Sequence, residues 1–485
     1  MEIESIKPFL AVAVSLLGAA LILVTRRSPN IREGCSLVAA TLKFLIVLTM
    51  IPTVLAGNTL HYTLFSITSG VSIAFRVDAM GLTFATAASF LWILITIYSI
   101  GYVRSLKEHA QTRYYLCFAI TLSATMGVAF AANLLTLYLF YELVGFGAYA
   151  LVVHKETKEA FAKGNRYIFY VFWLAKLFLL AGFLAYALSG TLDLNPKGIF
   201  PSKADPTLLT LTYLLFLVGI SKAAIIPFHA WLPAAMIAPT PVGTLLAVVD
   251  VGAFCILRVT YNIFGLDTLK ELNLGLPLVF LASITIVAAS VMALTRDDLK
   301  ARLAYSTISQ ISYTLLGAAL LAPAGLTGGI LQIVNHAIAK ITLFFCAGSI
   351  YVASGKTKVS ELNGIGKQMP FTMAAFTLGA LSLIGFPPFA GFIVKWYLIS
   401  GSIEAGLYPA IAVLVASSIL SASYLLPIVY AAFFRDLPPG EKAERREAPT
   451  IMVVALMLTA IGTLVLFFAP SVFLELARVV MGEVG

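Results

Sequence analysis

Residues 221–243 read SKAAIIPFHAWLPAAMIAPTPVG, an apolar stretch interrupted by Pro227, Pro233, Pro239 and Pro241. Proline lacks a backbone donor and its ring clashes with the preceding turn, so no continuous helix runs through these residues. Residues 383–396, LIGFPPFAGFIVKW, carry a second interruption at Gly385, Pro387, Pro388 and Gly391. In lipid, irregular backbone survives only where protein buries it or where it lines a cavity. The two interruptions are therefore expected inside a helical membrane protein, around a polar path.

The rest of the chain supports that setting. It has 485 residues, 60% of them hydrophobic and 11% charged, against roughly 25% charged in soluble domains. Its mean hydropathy is +0.96. A span needs about 20 apolar residues, and about fourteen stretches qualify: 8–25, 34–55, 79–101, 114–131, 132–152, 165–188, 207–229, 243–263, 274–294, 303–322, 328–353, 370–400, 407–433 and 450–470. The expectation is an all-α, polytopic membrane protein forming one transmembrane domain over residues 1–485. The interruptions fall in the seventh and twelfth spans. An offset of five spans inverts topology, the pattern of an inverted repeat with its ion site at the break. Loops around 190–206 and 435–449 are too short to fold alone, and SVFLELARVV (471–480) reads as a short helix on the outer surface. The first apolar stretch runs on without a small-residue cleavage site, so no cleavable signal peptide is expected.

Charge and cysteine usage narrow the function. Of the 32 Lys and Arg, 20 fall in 26–32, 102–113, 154–166, 296–302, 356–367 and 435–447. That bias places these segments inside and both termini outside, so the net charge of +9 is a topology signal and no nucleic-acid partner is expected. Cys35, Cys117, Cys255 and Cys346 lie far apart without metal-ligand spacing. No cofactor, resident metal or nucleotide site is expected.

Eight charged residues fall inside membrane-length stretches: Lys43, Glu142, Lys176, Lys222, Asp250, Arg258, Lys340 and Lys395. Each costs at least about 2.5–3.5 kcal/mol at membrane depth, so they are expected to face one another or water along an ion path. Glu142, in LYLFYELVGFGAYAL (137–151), and Lys222, five residues before Pro227, form the first constellation. Such a pair holds or releases a proton according to the distance between its partners; a static structural ion pair is the alternative. His336 and Lys340, in LQIVNHAIAKITLFF (331–345), are four residues apart and share a helix face. Histidine can relay a proton, although a lone core histidine is often only packed and hydrogen-bonded. His229, at the first break, is open to both readings. Lys395, in the second broken span, either belongs to the path or snorkels to an interface. Tyr98, Tyr102, Tyr114, Tyr115, Trp231 and Trp396, near span ends, read as interface anchors.

Five stretches carry a family resemblance: NLLTLYLFYELVGFGAYAL (133–151), PFHAWLPAAMIAPTPVG (227–243), RDDLKARLAYSTISQISYTLLG (296–317), NHAIAKITLFFCAGSIY (335–351) and GFPPFAGFIVK (385–395). Over roughly residues 70–435 the chain resembles the antiporter-like subunits of respiratory complex I, the D-type subunit of multisubunit Na⁺/H⁺ antiporters, and their counterparts in membrane-bound hydrogenases. The resemblance implies fourteen helices with two inverted five-helix repeats, residues 114–263 and 274–433, broken at helices seven and twelve. By motif, Glu142 resembles the family's fifth-helix glutamate, Lys222 its seventh-helix lysine, His336 and Lys340 its central relay, and Lys395 its exit-side lysine. The chain departs from the pattern at Asp250, where many members carry lysine, at Met236 and Gly243, and at Lys176 in the sixth span. Asp250 either reverses the charge of one relay link, paired with Lys176 or Arg258, or marks a link that is modified or inactive.

The implied function is proton translocation as one membrane subunit of a larger prokaryotic complex, with further antiporter-like subunits as partners and the drive supplied by them. A sodium carrier using Asp250 and backbone carbonyls as hard oxygen ligands, and a scaffold subunit with a decayed relay, are the alternatives.

Overall fold

The structure is a computed structural model describing residues 1–68, 70–248 and 250–482. Residue 249, within the expected eighth span 243–263, and residues 483–485, at the end of the expected domain 1–485, lie outside the described residues.

Among the described residues, ten helices are long and apolar enough to cross a membrane: Lys7–Val24, Pro29–Leu55, Ala79–Ser105, Leu134–Val152, Lys158–Ser189, Thr240–Phe264, Gly275–Leu294, Pro323–Ser354, Tyr408–Phe434 and Thr450–Phe468. Helices Gln111–Ala129 and Leu299–Ala319 are more polar, and Pro206–Gly219 and Pro370–Ile384 are shorter apolar segments. The helices begin where the sequence supplies caps. Asp78, Asn133 and Asp298 accept the backbone N–H groups of Gly81, Thr136 and Ala301 at 2.7–2.9 Å, which satisfies donors that a helix start leaves free.

The broken spans stand where proline and glycine placed them. Helix Pro206–Gly219 stops, a tight turn Ser221–Ala223 follows, and the chain resumes as helix at Trp231–Ala235. The exposed backbone finds partners: Trp231 Nε1 donates to the Ser221 carbonyl at 3.0 Å, and the Ile226 N–H to Thr285 Oγ1 at 3.2 Å. Helix Pro370–Ile384 likewise stops at Gly385, and helix Ala390–Glu404 follows. A glycine packs against each break. A Cβ on Gly252 would lie 2.0 Å from the Ala223 nitrogen, and one on Gly391 would lie 1.8 Å from the Ser382 carbonyl oxygen. Neither position admits a side chain without moving backbone.

Two features were not expected. A three-stranded sheet joins β1 (Glu2–Glu4), β2 (Thr59–Thr68) and β3 (Val71–Val77), with β1 parallel and β3 antiparallel to β2. Two helices also contain π-helical turns, Phe169–Trp173 just before Lys176 and Val259–Phe264 just after Arg258. Such turns often mark functional positions. Segment 471–480 is the expected helix, with Leu476 and Ala477 buried.

The core is aromatic and polar as well as aliphatic. Tyr98, Tyr102, Tyr114, Tyr115 and Trp231 are buried, which corrects their reading as interface anchors; only Trp396 of that set is exposed. Tyr98 stacks on Phe345 at 3.9 Å and donates to its carbonyl at 2.7 Å. The hydroxyls of Tyr98, Tyr102 and Tyr114 find partners inside the bundle, whereas that of Tyr115 has none among the described residues. Lys43 is also fully buried, 4.3 Å from the Trp92 ring centroid and donating to the Leu122 carbonyl at 2.9 Å.

Candidate ion pathway

Glu142, on helix Leu134–Val152, and Lys222, in the turn Ser221–Ala223, do not pair with each other. Glu142 Oε1 accepts from Lys176 Nζ at 2.8 Å and from the Tyr138 hydroxyl at 2.7 Å, and Lys176 also donates to that hydroxyl at 3.0 Å. Lys222 Nζ instead donates to the Tyr141 carbonyl at 2.6 Å and sits 3.3 Å from the Tyr141 ring centroid. The reason is helical rotation. Residues 138 and 142 share a face, whereas 141 is rotated about 100° from 142, towards the side on which 145 also lies. Gly145 opens that second face, since a Cβ there would lie 3.3 Å from Lys222 Nζ. The ion-pair partner of Glu142 is thus Lys176, in place of the expected Lys222.

Asp250 has neither expected partner. Lys176 is engaged with Glu142, and Arg258 is held by Asp78, the Ala129 carbonyl at 3.1 Å and Asn262 Oδ1 at 3.2 Å. The basic group beside Asp250 is His336, whose Nδ1 lies 3.9 Å from Asp250 Oδ2. Both side chains are buried. Neither carboxylate oxygen of Asp250 and neither ring nitrogen of His336 has a hydrogen-bond partner among the described residues. The two thus face each other as a buried carboxylate and a buried imidazole. His229 is half-buried in the first break, its ring 6.2 Å from that of Tyr305, away from any ion pair among the described residues.

Lys340 and Lys395 both face inward. Lys340 Nζ donates to Ser306 Oγ at 2.5 Å, Ser306 shares a hydrogen bond with the Tyr424 hydroxyl at 2.8 Å, and Tyr424 with Ser421 at 3.1 Å. These contacts carry the polar line from helix Pro323–Ser354 to helix Tyr408–Phe434. Lys395 Nζ donates to the Ile384 carbonyl, freed by the second break, and to Ser418 Oγ, both at 2.6 Å. It is buried, so the snorkelling alternative does not describe it.

A further network was missed. Ser382 Oγ donates to Asn335 Oδ1 at 3.0 Å, Asn335 Nδ2 to Gln332 Oε1 at 3.2 Å, and Gln332 Nε2 to Gln310 Oε1 at 3.1 Å. Its sequence signal was available: Gln332, Asn335 and His336 stand at helical spacing in an apolar run. This network runs from Gln310 to Ser382, just before the second break, beside His336 in sequence but without a hydrogen bond to it.

A polytopic helical bundle with two interrupted spans and a series of buried charges defines an antiporter-like membrane subunit. The chain belongs to the NADH:quinone oxidoreductase/Mrp antiporter transmembrane family, whose model matches residues 131–421. It is 32% identical over 407 residues to the NADH-quinone oxidoreductase subunit N of Desulforudis audaxviator, covering 80% of this chain and 81% of that one. Identity is 29% both to the Na⁺/H⁺ antiporter subunit A1 of Staphylococcus haemolyticus and to the NADH-quinone oxidoreductase subunit L of Mycobacterium tuberculosis, over 89% and 81% of this chain. The aligned region spans only 57% and 62% of those two longer relatives. The fold is that of a chain in the Mrp complex of Dietzia sp. (TM-score 0.88, 23% identity, 99% of this chain and 98% of that one). A chain of the archaeal membrane-bound sulfane sulfur reductase matches with the same TM-score, identity and coverage. A chain of Thermus thermophilus respiratory complex I matches with TM-score 0.77 at 22% identity, over 96% and 98%.

Proposed function

We propose that the chain conducts protons across a prokaryotic cell membrane as one antiporter-like subunit of a multisubunit complex. The observation that carries this reading is the series of titratable groups within the membrane-length segments and at the two breaks: Glu142–Lys176, Lys222, Asp250–His336, Lys340 and Lys395, all buried except Lys176. Charges at membrane depth are retained where they serve ion movement. Protons enter near Lys222, pass Asp250 and the His336–Lys340 face, and leave at Lys395. Moving one charge against 100 mV needs about 2.3 kcal/mol, and neighbouring subunits supply it. Relatives named as subunits of an NADH-quinone oxidoreductase and of a Na⁺/H⁺ antiporter support such partners, including further antiporter-like subunits. In this reading fourteen spans form two inverted repeats, 114–263 and 274–433, with both termini outside. The parallel between the breaks supports the repeat: Lys222 lies over the ring of Tyr141, and Lys395 lies 5.5 Å from that of Tyr313. Each tyrosine belongs to the span two before the break.

Proton uptake by liposomes holding the purified complex tests the reading, with Lys340→Met expected to stop uptake without loss of subunits. Uptake at wild-type rate in that variant would leave the scaffold reading. A second reading, in which Asp250 binds Na⁺, is favoured by its two unpartnered oxygens; under it, transport would require sodium and Asp250→Asn would raise the sodium concentration needed.

A further inference from the structure

Away from the pathway, two loops meet at the end of the molecule that carries the basic segments. One follows helix Ala79–Ser105 and holds Glu108 and His109; the other follows helix Leu134–Val152 and holds His154. A carboxylate oxygen of Glu108 and one ring nitrogen from each histidine all lie within 4.8 Å of one another. His154 is 1% exposed, and neither of its ring nitrogens has a hydrogen-bond partner among the described residues. A buried imidazole in that state forgoes both of its polar interactions, which is unfavourable. Its ring is fixed between His109, stacked at 4.9 Å, and Tyr114, edge-on at 5.6 Å.

We infer that Glu108, His109 and His154 form a binding site for a divalent transition-metal ion of the Zn²⁺ class. Two imidazoles and one carboxylate are the donor set such ions take, with a fourth position open to water. Mg²⁺ and Ca²⁺ are disfavoured because they prefer oxygen ligands throughout. The neighbouring charges fit. Arg113 is engaged by Glu156 and by the His154 carbonyl at 2.9 Å, which leaves the Glu108 carboxylate for the metal. His109 Nε2 lies 3.7 Å from Glu156 Oε2, so metal binding through Nδ1 would leave Nε2 facing that carboxylate. Zinc–ligand bonds of about 2.0–2.2 Å draw the three donors closer than they stand. His109 and the half-buried Glu108 close onto His154, which stays in place. The bound ion would tie the end of the helix bearing Glu142 to the end of helix Ala79–Ser105.

The test is Co²⁺ titration of the purified, metal-stripped complex, read by the visible absorption of four-coordinate Co²⁺ and its displacement by Zn²⁺. One Co²⁺ per copy of this chain is expected. His109→Ala and Glu108→Gln change residues that are not in the core, so folding is preserved, and each should weaken binding at least about tenfold. His154→Ala should abolish it. Absence of a four-coordinate spectrum, or a spectrum that survives both His109→Ala and Glu108→Gln, would overturn the assignment.

Discussion

Tyr141 stands between Lys222 and Glu142: its carbonyl and ring face the lysine, while the next residue, Glu142, turns to Lys176. A rotation of about 100° thus separates two charged centres that a sequence reading joins into one. Lys222 is held by a carbonyl dipole and an aromatic face rather than by an acid. In the proposed path it would exchange a proton without first breaking an ion pair.

The Glu142–Lys176 contact should therefore appear as energetic coupling. A double-mutant cycle with Glu142→Gln and Lys176→Met, read by thermal unfolding of the complex, should give a coupling of about 1–2 kcal/mol. That is less than the 3–5 kcal/mol cost of splitting a fully buried pair, because the Lys176 side chain is 38% exposed. The corresponding cycle between Glu142 and Lys222 should give a smaller value. The reverse order would contradict the geometry.

Asp250 and His336 should act together. Asp250→Asn keeps the shape but removes the exchangeable site, and should slow proton transport about 100-fold, the scale of one proton-transfer group. His336→Gln should produce the same loss, and the double variant no more than either alone. Lys176→Met should not reproduce the Asp250→Asn defect by way of Asp250, since Lys176 pairs with Glu142. Loss that is reversed by added sodium would transfer Asp250 to the sodium reading.

Arg258 should be structural. It is 1% exposed, and its hydrogen bonds join Asp78, Asn262 and the Ala129 carbonyl, tying helix Thr240–Phe264 to the start of helix Ala79–Ser105. Arg258→Met should destabilise the protein by about 3–5 kcal/mol by leaving Asp78 unpaired. Adding Asp78→Asn should recover part of that loss, and thermal melts would measure both.

Asp297, in the loop before helix Leu299–Ala319, accepts from the N–H and Oγ of Ser360 at 2.9 and 2.8 Å, which lowers its pKa. A lowered folded-state pKa contributes stability above the unfolded value of about 3.9 and loses it as pH falls through the folded one. Asp297→Asn should therefore cost stability at pH 7 and lose less than wild type on acidification below about pH 4. Parallel acid limbs for the two proteins would contradict this.

Much of the fold was legible because membrane spans are long and proline breaks are unambiguous. Pro227, Pro387 and Pro388 marked the interruptions, and the cost of buried charge marked Lys222, Asp250 and Lys340. Pairing was not legible. Which of two adjacent residues faces which neighbour depends on a rotation of about 100° per residue, and no span records its own rotation in composition. The placement of Tyr141 against Lys222, of Arg258 against Asp78 across 180 residues, and of Tyr98 inside the core all belong to that class. The strands at 59–77 were missed because they are short and lie between two strong apolar spans.

The central claim is that Lys222 is an exchanging site in a proton path. Proton uptake by liposomes containing the reconstituted complex, followed with a pH-sensitive dye in wild type and Lys222→Met, tests it most directly. The variant should assemble with its full set of subunits and translocate protons about 100-fold more slowly or not at all. An assembled Lys222→Met complex that takes up protons at the wild-type rate would contradict the account.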